Sequence, residues 1–376
     1  MTRALCTAAL LATVAWPALA VDLLVAGTPV QVGPGSGEVF LVDLNRDGRL
    51  DLVTKHLLQR VISVALGSGD GRFAAPTSIA LAFEPGAITL GDLTSDGIPD
   101  LIVANKDATQ ELVRVLRGTG NGTFAAAGAP LATAPAIPFY KPFLHIADTN
   151  GDGHADVVSA NGRRNTVEVL LGDGAGALRP GPVVTLDPGM DFYSHLLWDV
   201  NGDKRVDLVT AGRAADGRSG LIVPRFNDGR GGFRTGARMQ FEGEAPKLLG
   251  FGDVDGDDAP DAIIGYAERN DVTVLINFGG LLTPDGAGRY RTGAEGFDAV
   301  VGDVNGDGLA DILTANGTSV TALVGSRAGF AGAAGSPYRV GPGAYNLAAG
   351  DLNGDGKADV VISSFEGVAL MVLLGQ

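Results

Sequence analysis

Cysteine is all but absent from this 376-residue chain, with Cys6 standing alone. A single thiol excludes an internal disulfide framework and a cysteine zinc cluster. Histidine is scarce too: His56, His145, His154 and His195 are the whole set. Their positions match no zinc spacing, and no nucleophile elbow or phosphate-binding glycine loop accompanies them. Basic residues number 28 against 43 acidic ones, a formal charge of −15, so composition offers no basic face for a general nucleic-acid binder. No apolar run reaches the ~20 residues that span a bilayer as a helix, and beyond the N-terminus no segment shows the apolar period of an amphipathic helix.

The one apolar stretch of note is at the N-terminus. Arg3 gives a positive start, Leu5 to Trp16 is apolar, and Ala18-Leu19-Ala20 is a small-x-small cleavage site. Residues 1–20 therefore read as a secretory signal, with an uncleaved anchor as the alternative. Cys6 precedes the apolar run, against the order of a lipoprotein signal, and would leave with it. Export without disulfides predicts a bacterial periplasmic or extracellular protein, residues 21–376, stapled by something other than cystine.

Aspartate is what the chain has in a pattern. A nine-residue phrase with aspartate at positions one, five and nine recurs seven times, at Asp43–Asp51, Asp92–Asp100, Asp148–Asp156, Asp199–Asp207, Asp253–Asp261, Asp303–Asp311 and Asp351–Asp359. The fifth positions are Asp47, Asp96, Asp152, Asp203, Asp257, Asp307 and Asp355, and the third are Asn45, Thr94, Asn150, Asn201, Asp255, Asn305 and Asn353. Five copies carry glycine at position six. Carboxylates at alternate places of a tight loop converge and can replace the water shell of a hard cation, and Ca2+ takes six to eight oxygens at about 2.3–2.6 Å. The loops hold 23 aspartates against five basic residues, which puts −18 in the loops and +3 in everything else. The acidity belongs to ion sites and is not a statement about partners.

Successive loops start 49, 56, 51, 54, 50 and 48 residues apart, so they punctuate one repeated unit. Each ninth aspartate opens a β-branched run such as Leu52-Val53-Thr54 or Ile312-Leu313-Thr314, and a second apolar run follows, as in Val61–Leu66 or Val167–Leu171. A glycine-rich hairpin then ends in Phe73, Phe124, Leu178, Phe233, Tyr290 or Phe330. Short apolar runs bounded by Gly, Asn and Asp argue strand. Each unit reads as a four-stranded antiparallel meander too small to bury its own faces. The expected fold is all-β, a seven-bladed β-propeller, with an open solenoid as the alternative. The last unit stops after its third strand at Gln376, while Leu23 to Val32 is a spare apolar segment before the first loop. That segment is expected to complete the last blade and close the ring.

The Val-Asn-Gly-Asp-Gly-x-x-Asp phrase and the Leu-Gly-x-Gly-x-Gly-x-Phe hairpin make the chain resemble FG-GAP/VCBS-repeat β-propellers, a family that includes the integrin alpha-subunit head and secreted bacterial propellers. The resemblance covers residues 22–376 and is informative about fold and metal, not activity. It implies calcium held by the side chains at positions one, three, five and nine. The carbonyl of position seven would join them, from Arg49, Ile98, His154, Arg205, Ala259, Leu309 and Lys357. Up to seven Ca2+ ions are expected, weaker in copy two, where Thr94 replaces an amide, and in copy four, where Lys204 takes the glycine place. Asp258 at that place in copy five costs backbone ease and adds negative charge. Metal-free Asx-turn loops and another hard cation are the alternatives.

For a ligand, the end opposite the metal loops carries the turns between second and third strands and the connections between units. Arg163, Arg164, Arg213, Arg218 and Arg269 fall in those turns, and Tyr140 and Tyr193 in the connections. Guanidinium groups beside aromatic faces suit sugars or acidic polysaccharides. A solvated rim with aromatics plugging the channel is the bland alternative. Each histidine reads as structural, His56 in a turn and His145 and His195 on channel-facing strands. The expectation is a monomeric, non-catalytic binding module for a protein or carbohydrate, with a lectin as the alternative and a polysaccharide lyase third. A lyase would need His145, His195 and Tyr193 to converge.

Overall fold

The computed structural model describes residues 23–105, 112–132, 143–161, 165–187, 190–242, 246–266, 269–284, 289–294, 296 and 298–376. The signal-peptide reading of residues 1–20 lies outside them. Every regular element among the described residues is a β-strand, and among them no helix is long and apolar enough to cross a membrane.

The second repeat shows the unit plainly. Strands Pro85–Gly91, Asp100–Asn105, Leu112–Gly118 and Phe124–Ala132 pair antiparallel in sequence order. The acidic loop joins the first strand to the second. The second strand is buried along its whole length, as are Asp51–His56, Asp261–Tyr266 and Asp359–Ser364. A strand covered on both faces needs a continuous apolar run, which is why period-two alternation is missing there. Repeats one to five each form their own sheet. Repeats six and seven share a nine-stranded sheet, because Tyr338–Gly350 pairs through its start with Gly317–Ser326 and through its end with Asp359–Ser364.

The spare N-terminal segment goes where the sequence expects it. Leu24–Ala26 and Val30–Gln31 both pair antiparallel with the last strand, Ala369–Gly375. The first and last repeats also touch directly. Val30, Val39 and Leu52 pack with Leu352, Val361 and Val372, and the Ser36 hydroxyl donates to the Ser364 carbonyl at 2.9 Å. First strands of all seven repeats line one cavity of about 750 Å³.

A polar contact between repeats recurs on that wall. The residue five before the loop accepts a main-chain N–H from the next repeat: Glu38 from Ile88 at 3.1 Å, Ser194 from Leu248 at 2.8 Å, Asp298 from Leu347 at 2.7 Å and Asn346 from Val39 at 2.8 Å. Repeats two, three and five put Ala87, Phe143 and Leu248 there instead.

Two local expectations are corrected. Tyr290 does not end the fifth hairpin, because that turn is shorter, at Gly279-Gly280, and Leu282 takes the place opposite Asn277. Tyr290 pairs with Val272 at the far end of the strand and stacks edge-on against Phe330, centroids 5.4 Å apart. His56 is not in a turn but closes strand Asp51–His56, buried, with Nδ1 3.0 Å from the Pro34 carbonyl and Nε2 2.8 Å from the Ser63 hydroxyl.

Deleting residues 23–32 should expose the edge of Ala369–Gly375, and an unpaired apolar edge invites aggregation. We expect a broader, lower melting transition together with light scattering by circular dichroism and turbidity. A soluble variant melting like the parent would show that this strand pairing contributes nothing.

Candidate functional site

The ninth aspartate of every loop is fully buried. Its Oδ2 accepts the N–H of position two, from Leu44, Leu93, Thr149, Val200, Val254, Val304 and Leu352, at 2.8–3.2 Å. Its Oδ1 accepts an N–H from the end of the third strand, from Gly67, Gly118, Gly172, Asn227, Asn277, Gly325 and Gly375, at 2.8–2.9 Å. One carboxylate thus pins the start of the loop to a strand two places away in the sheet. The approach is so close that a Cβ on Gly67, Gly118, Gly172, Gly325 or Gly375 would overlap the carbonyl of position eight. Those glycines serve the latch, not the hairpin turn after it.

Positions one and five shape the loop. In all seven copies Oδ2 of the first aspartate accepts the N–H of position six at 2.7–2.9 Å. Oδ1 of the fifth accepts the N–H of position seven at 2.8–2.9 Å. Both position four and position six adopt left-handed φ, and four copies of the pair include a residue other than glycine: Arg46 at 61°, Ser95 at 53°, Lys204 at 67° and Asp258 at 66°. Glycine fills position four in five copies, just as it fills position six, so the demand at both positions is written in the sequence.

The donor set suits a hard cation, best of all in copy five. Oxygens of Asp253, Asp255 and Asp261 lie within 4.8 Å of one another, a span that two ligands on one Ca2+ at about 2.3–2.6 Å can have. Burial, then Asp257 and Asp253, push the Asp255 carboxyl up. Burial also raises Asp51, Asp100, Asp311 and Asp359, and takes Asp207 and Asp261 to about 6. Stability from Asp207 and Asp261 is complete below the ordinary value near 3.8 and is lost as pH rises through about 6. At neutral pH the loops hold costly charge that a divalent ion would neutralise. In copies one, three, four, six and seven the Asn45, Asn150, Asn201, Asn305 and Asn353 carbonyls accept the fifth N–H at 2.8–3.1 Å, so their amide oxygens already turn inward.

Copies two and four differ in a way that sequence only half reveals. Arg117, from the third strand, places Nη2 2.7 Å from Asp96 Oδ2, and this hydrogen bond holds the Asp96 carboxyl below its usual range. Thr94 also turns its hydroxyl to Asp100, at 3.5 Å. In copy four Arg205 Nη2 lies 2.8 Å from Asp203 Oδ2. Each copy offers its own cation to the carboxylate an ion would use.

Of the ligand residues expected at the far end, Tyr140, Arg163 and Arg164 lie outside the described residues. Tyr193 lies in strand Asp191–Trp198, with its side chain likewise outside. Arg213 ends Asp207–Arg213, opposite Asp191, and Arg269 precedes Asp271–Phe278. Arg269 engages its own repeat, 5.9 Å from the Tyr266 ring centre and 3.5 Å from Asp271. Sequence reasoning missed an aromatic pair at the loop end. Trp198 stands directly before Asp199, is 47% exposed, and lies 6.4 Å from Phe251, two residues before Asp253. Its signal was a lone tryptophan where the other repeats place Val42, Gly91, Ala147, Gly252, Gly302 and Gly350. His145 and His195 do meet, their rings edge-on at 4.8 Å.

An FG-GAP-like repeat is matched at residues 92–159, 148–210 and 303–362, which include loops two, three, four, six and seven. No curated protein matches the sequence. Among solved structures, BBS1N in its lead-soaked crystal complex with ARL6DN is similar at 14% identity and TM-score 0.62, over 94% of this chain and 98% of that one. A lectin from Agrocybe aegerita, solved for its specific recognition of non-reducing terminal N-acetylglucosamine, is similar at 16% identity and TM-score 0.56, over 90% of this chain and 87% of that one. At these identities the likeness is one of fold.

Lys204 holds a left-handed φ of 67° where five copies use glycine. Lys204→Gly should stabilise the protein by about 0.5–1 kcal/mol in chelator and by more in calcium, since a charge beside the ion goes too. Urea unfolding in both buffers reads the two values. A loss of stability in both would mean that the lysine is required where it stands.

Proposed function

We propose, for a chain that belongs to the FG-GAP repeat family, a secreted calcium-stabilised propeller of seven four-stranded blades, closed by its N-terminal strand and working as a non-catalytic binding module. The observation that carries the reading is the sevenfold acidic loop, folded alike in every repeat with its buried ninth aspartate on two main-chain N–H groups. Ring closure is supported by the pairing of Leu24–Ala26 with Ala369–Gly375 and by seven first strands around one cavity. Secretion rests on Arg3, the apolar Leu5 to Trp16 and Ala18-Leu19-Ala20. The ions would be held by the carboxylates and amides at positions one, three, five and nine, most strongly in copies one, three, five, six and seven. Calcium supplies charge neutralisation and rigidity there, and the rigid loop ends are then free to present a surface for a protein or a carbohydrate. Two similar folds serve those two ends, one solved with a protein partner and one as a lectin.

A carbohydrate is the second reading, favoured by the half-exposed Trp198 beside Phe251 at the loop end. Aromatic faces stack on the apolar face of a sugar ring. The Arg213 and Arg269 end is the other place for such a ligand.

Calcium should raise the melting midpoint over chelator, each site adding about 2.7 kcal/mol at a hundredfold excess over Kd. Asp253→Asn with Asp255→Asn should remove part of that difference. An unchanged midpoint would overturn the calcium reading.

On a glycan array in calcium, Trp198→Ala should abolish binding at the loop end. Arg213→Ala with Arg269→Ala should do so if the opposite end binds. Binding to no glycan by the parent would leave protein recognition as the reading.

A further inference from the structure

We propose that His145 and His195 form a two-imidazole site for a divalent ion of the copper–zinc class, on the cavity wall between the third and fourth repeats and separate from the carboxylate loops. The residues at issue break a pattern. Three before the loop, the other repeats have Phe40, Thr89, Leu196, Gly250, Val300 and Ala348; four before it, Val39, Ile88, Leu144, Leu249, Ala299 and Leu347. Two imidazoles replace that mostly apolar wall only at His145 and His195, on neighbouring first strands, and both line the 750 Å³ cavity. Burying imidazole among apolar groups is costly unless its nitrogens are used.

The geometry fits chelation. Zinc–imidazole bonds are about 2.0–2.1 Å, which places each ring centre roughly 3.2 Å from the ion, so two ligands at about 100° have centres near 4.9 Å apart. The centres here are 4.8 Å apart, with ring planes at 88°. His145 Nε2 is enclosed and has no hydrogen-bond partner. The same ring hydrogen-bonds the main chain of His195 in the sense that favours a ring N–H. That leaves Nδ1 as the donor and Nε2 with its lone pair unused, the arrangement that orients metal-bound histidines.

Proton competition is weak as well. Burial pushes His145 down to about 4, against the raising effects of the His195 main chain and of Glu38, and burial followed by His145 lowers His195 well below its usual value. Both rings are neutral at pH 7, the form that binds metal. The Glu38 carboxylate also acts on His145, although the Lys55 ammonium 3.0 Å from it offsets its charge. Calcium prefers oxygen ligands whereas imidazole suits copper and zinc, so the two kinds of site can be filled independently.

The test is Cu2+ titrated into the full chain at pH 7 in saturating calcium, read by electron paramagnetic resonance and by the melting midpoint. We expect one tight equivalent with hyperfine splitting from two imidazole nitrogens, and a rise in midpoint. His145→Phe and His195→Phe should each weaken that binding at least tenfold, whereas His56→Ala and His154→Ala should keep it. Should the phenylalanine variants fail to fold, the nitrogen count in the parent and its persistence in the His56→Ala, His154→Ala double variant decide. Copper without two-nitrogen ligation in the parent, or ligation lost in that double variant, would overturn the proposal. So would ligation that survives His145→Phe.

Discussion

A carboxylate at 0% exposure is an expensive thing to repeat seven times. The ninth aspartate earns its place by fixing two main-chain segments that have no other way to meet. Oδ2 takes the N–H that begins the loop and Oδ1 the N–H that ends the third strand. Loop register, the offset of second against third strand and the entry of the hairpin all hang on that one group. Its neighbours adapt to it: five repeats bring a glycine where a Cβ would strike the carbonyl of position eight. Repeat four brings Asn227, whose amide donates to that kind of carbonyl, on Val206, at 3.1 Å. Repeat five brings Asn277, which reaches the Val200 carbonyl of the preceding loop at 2.8 Å.

The same latch creates the loop's electrostatic problem. Desolvation raises the ninth carboxyl, and the first and fifth aspartates add repulsion in copies such as Asp311 and Asp359. Hydrogen bonds from main-chain N–H groups offset part of this and cannot offset all of it, since the values for Asp207 and Asp261 still reach about 6. A bound cation removes the repulsion at its source. An arginine can do so locally, as Arg117 does at Asp96 and Arg205 at Asp203. The two solutions compete for one carboxylate, which makes the variation between copies intelligible.

The strands and the loops were legible because both follow from local rules. Apolar runs bounded by Gly and Asp give strands, and alternate aspartates give a convergent loop. The pairing of Leu23–Val32 with the last strand was legible from a count of strands at the two ends. Side-chain contacts between strands and loops were not. Arg117 lies 21 residues from Asp96, and nothing local marks it as a partner. Tyr290 was misplaced because repeat five shortens its hairpin to Gly279-Gly280, which moves an aromatic from one end of the strand to the other without changing the composition. His56 looked like a turn residue because Leu57–Arg60 follows it, yet Nε2 reaches Ser63 across the hairpin.

Seams between repeats show where local rules end and sidewise ones begin. Four first strands carry an acceptor five residues before the loop, and each takes an N–H from the next repeat. Repeat three has Phe143 in that place and cannot do so. Its seam with repeat four is made instead by His145, whose ring meets His195 and hydrogen-bonds the His195 main chain. An imidazole has two nitrogens where a serine hydroxyl has one oxygen, so using one nitrogen of His145 for the seam leaves its Nε2 enclosed without a hydrogen-bond partner. The polar capacity in excess of what joins the repeats lies at this seam, between two strands that hold both rings in place. A carboxamide such as Asn346 uses its oxygen on Val39 and its nitrogen on Asp298. The chemistry of the third seam therefore differs in kind from that of the four joined through an acceptor, although the backbone that builds it is the same.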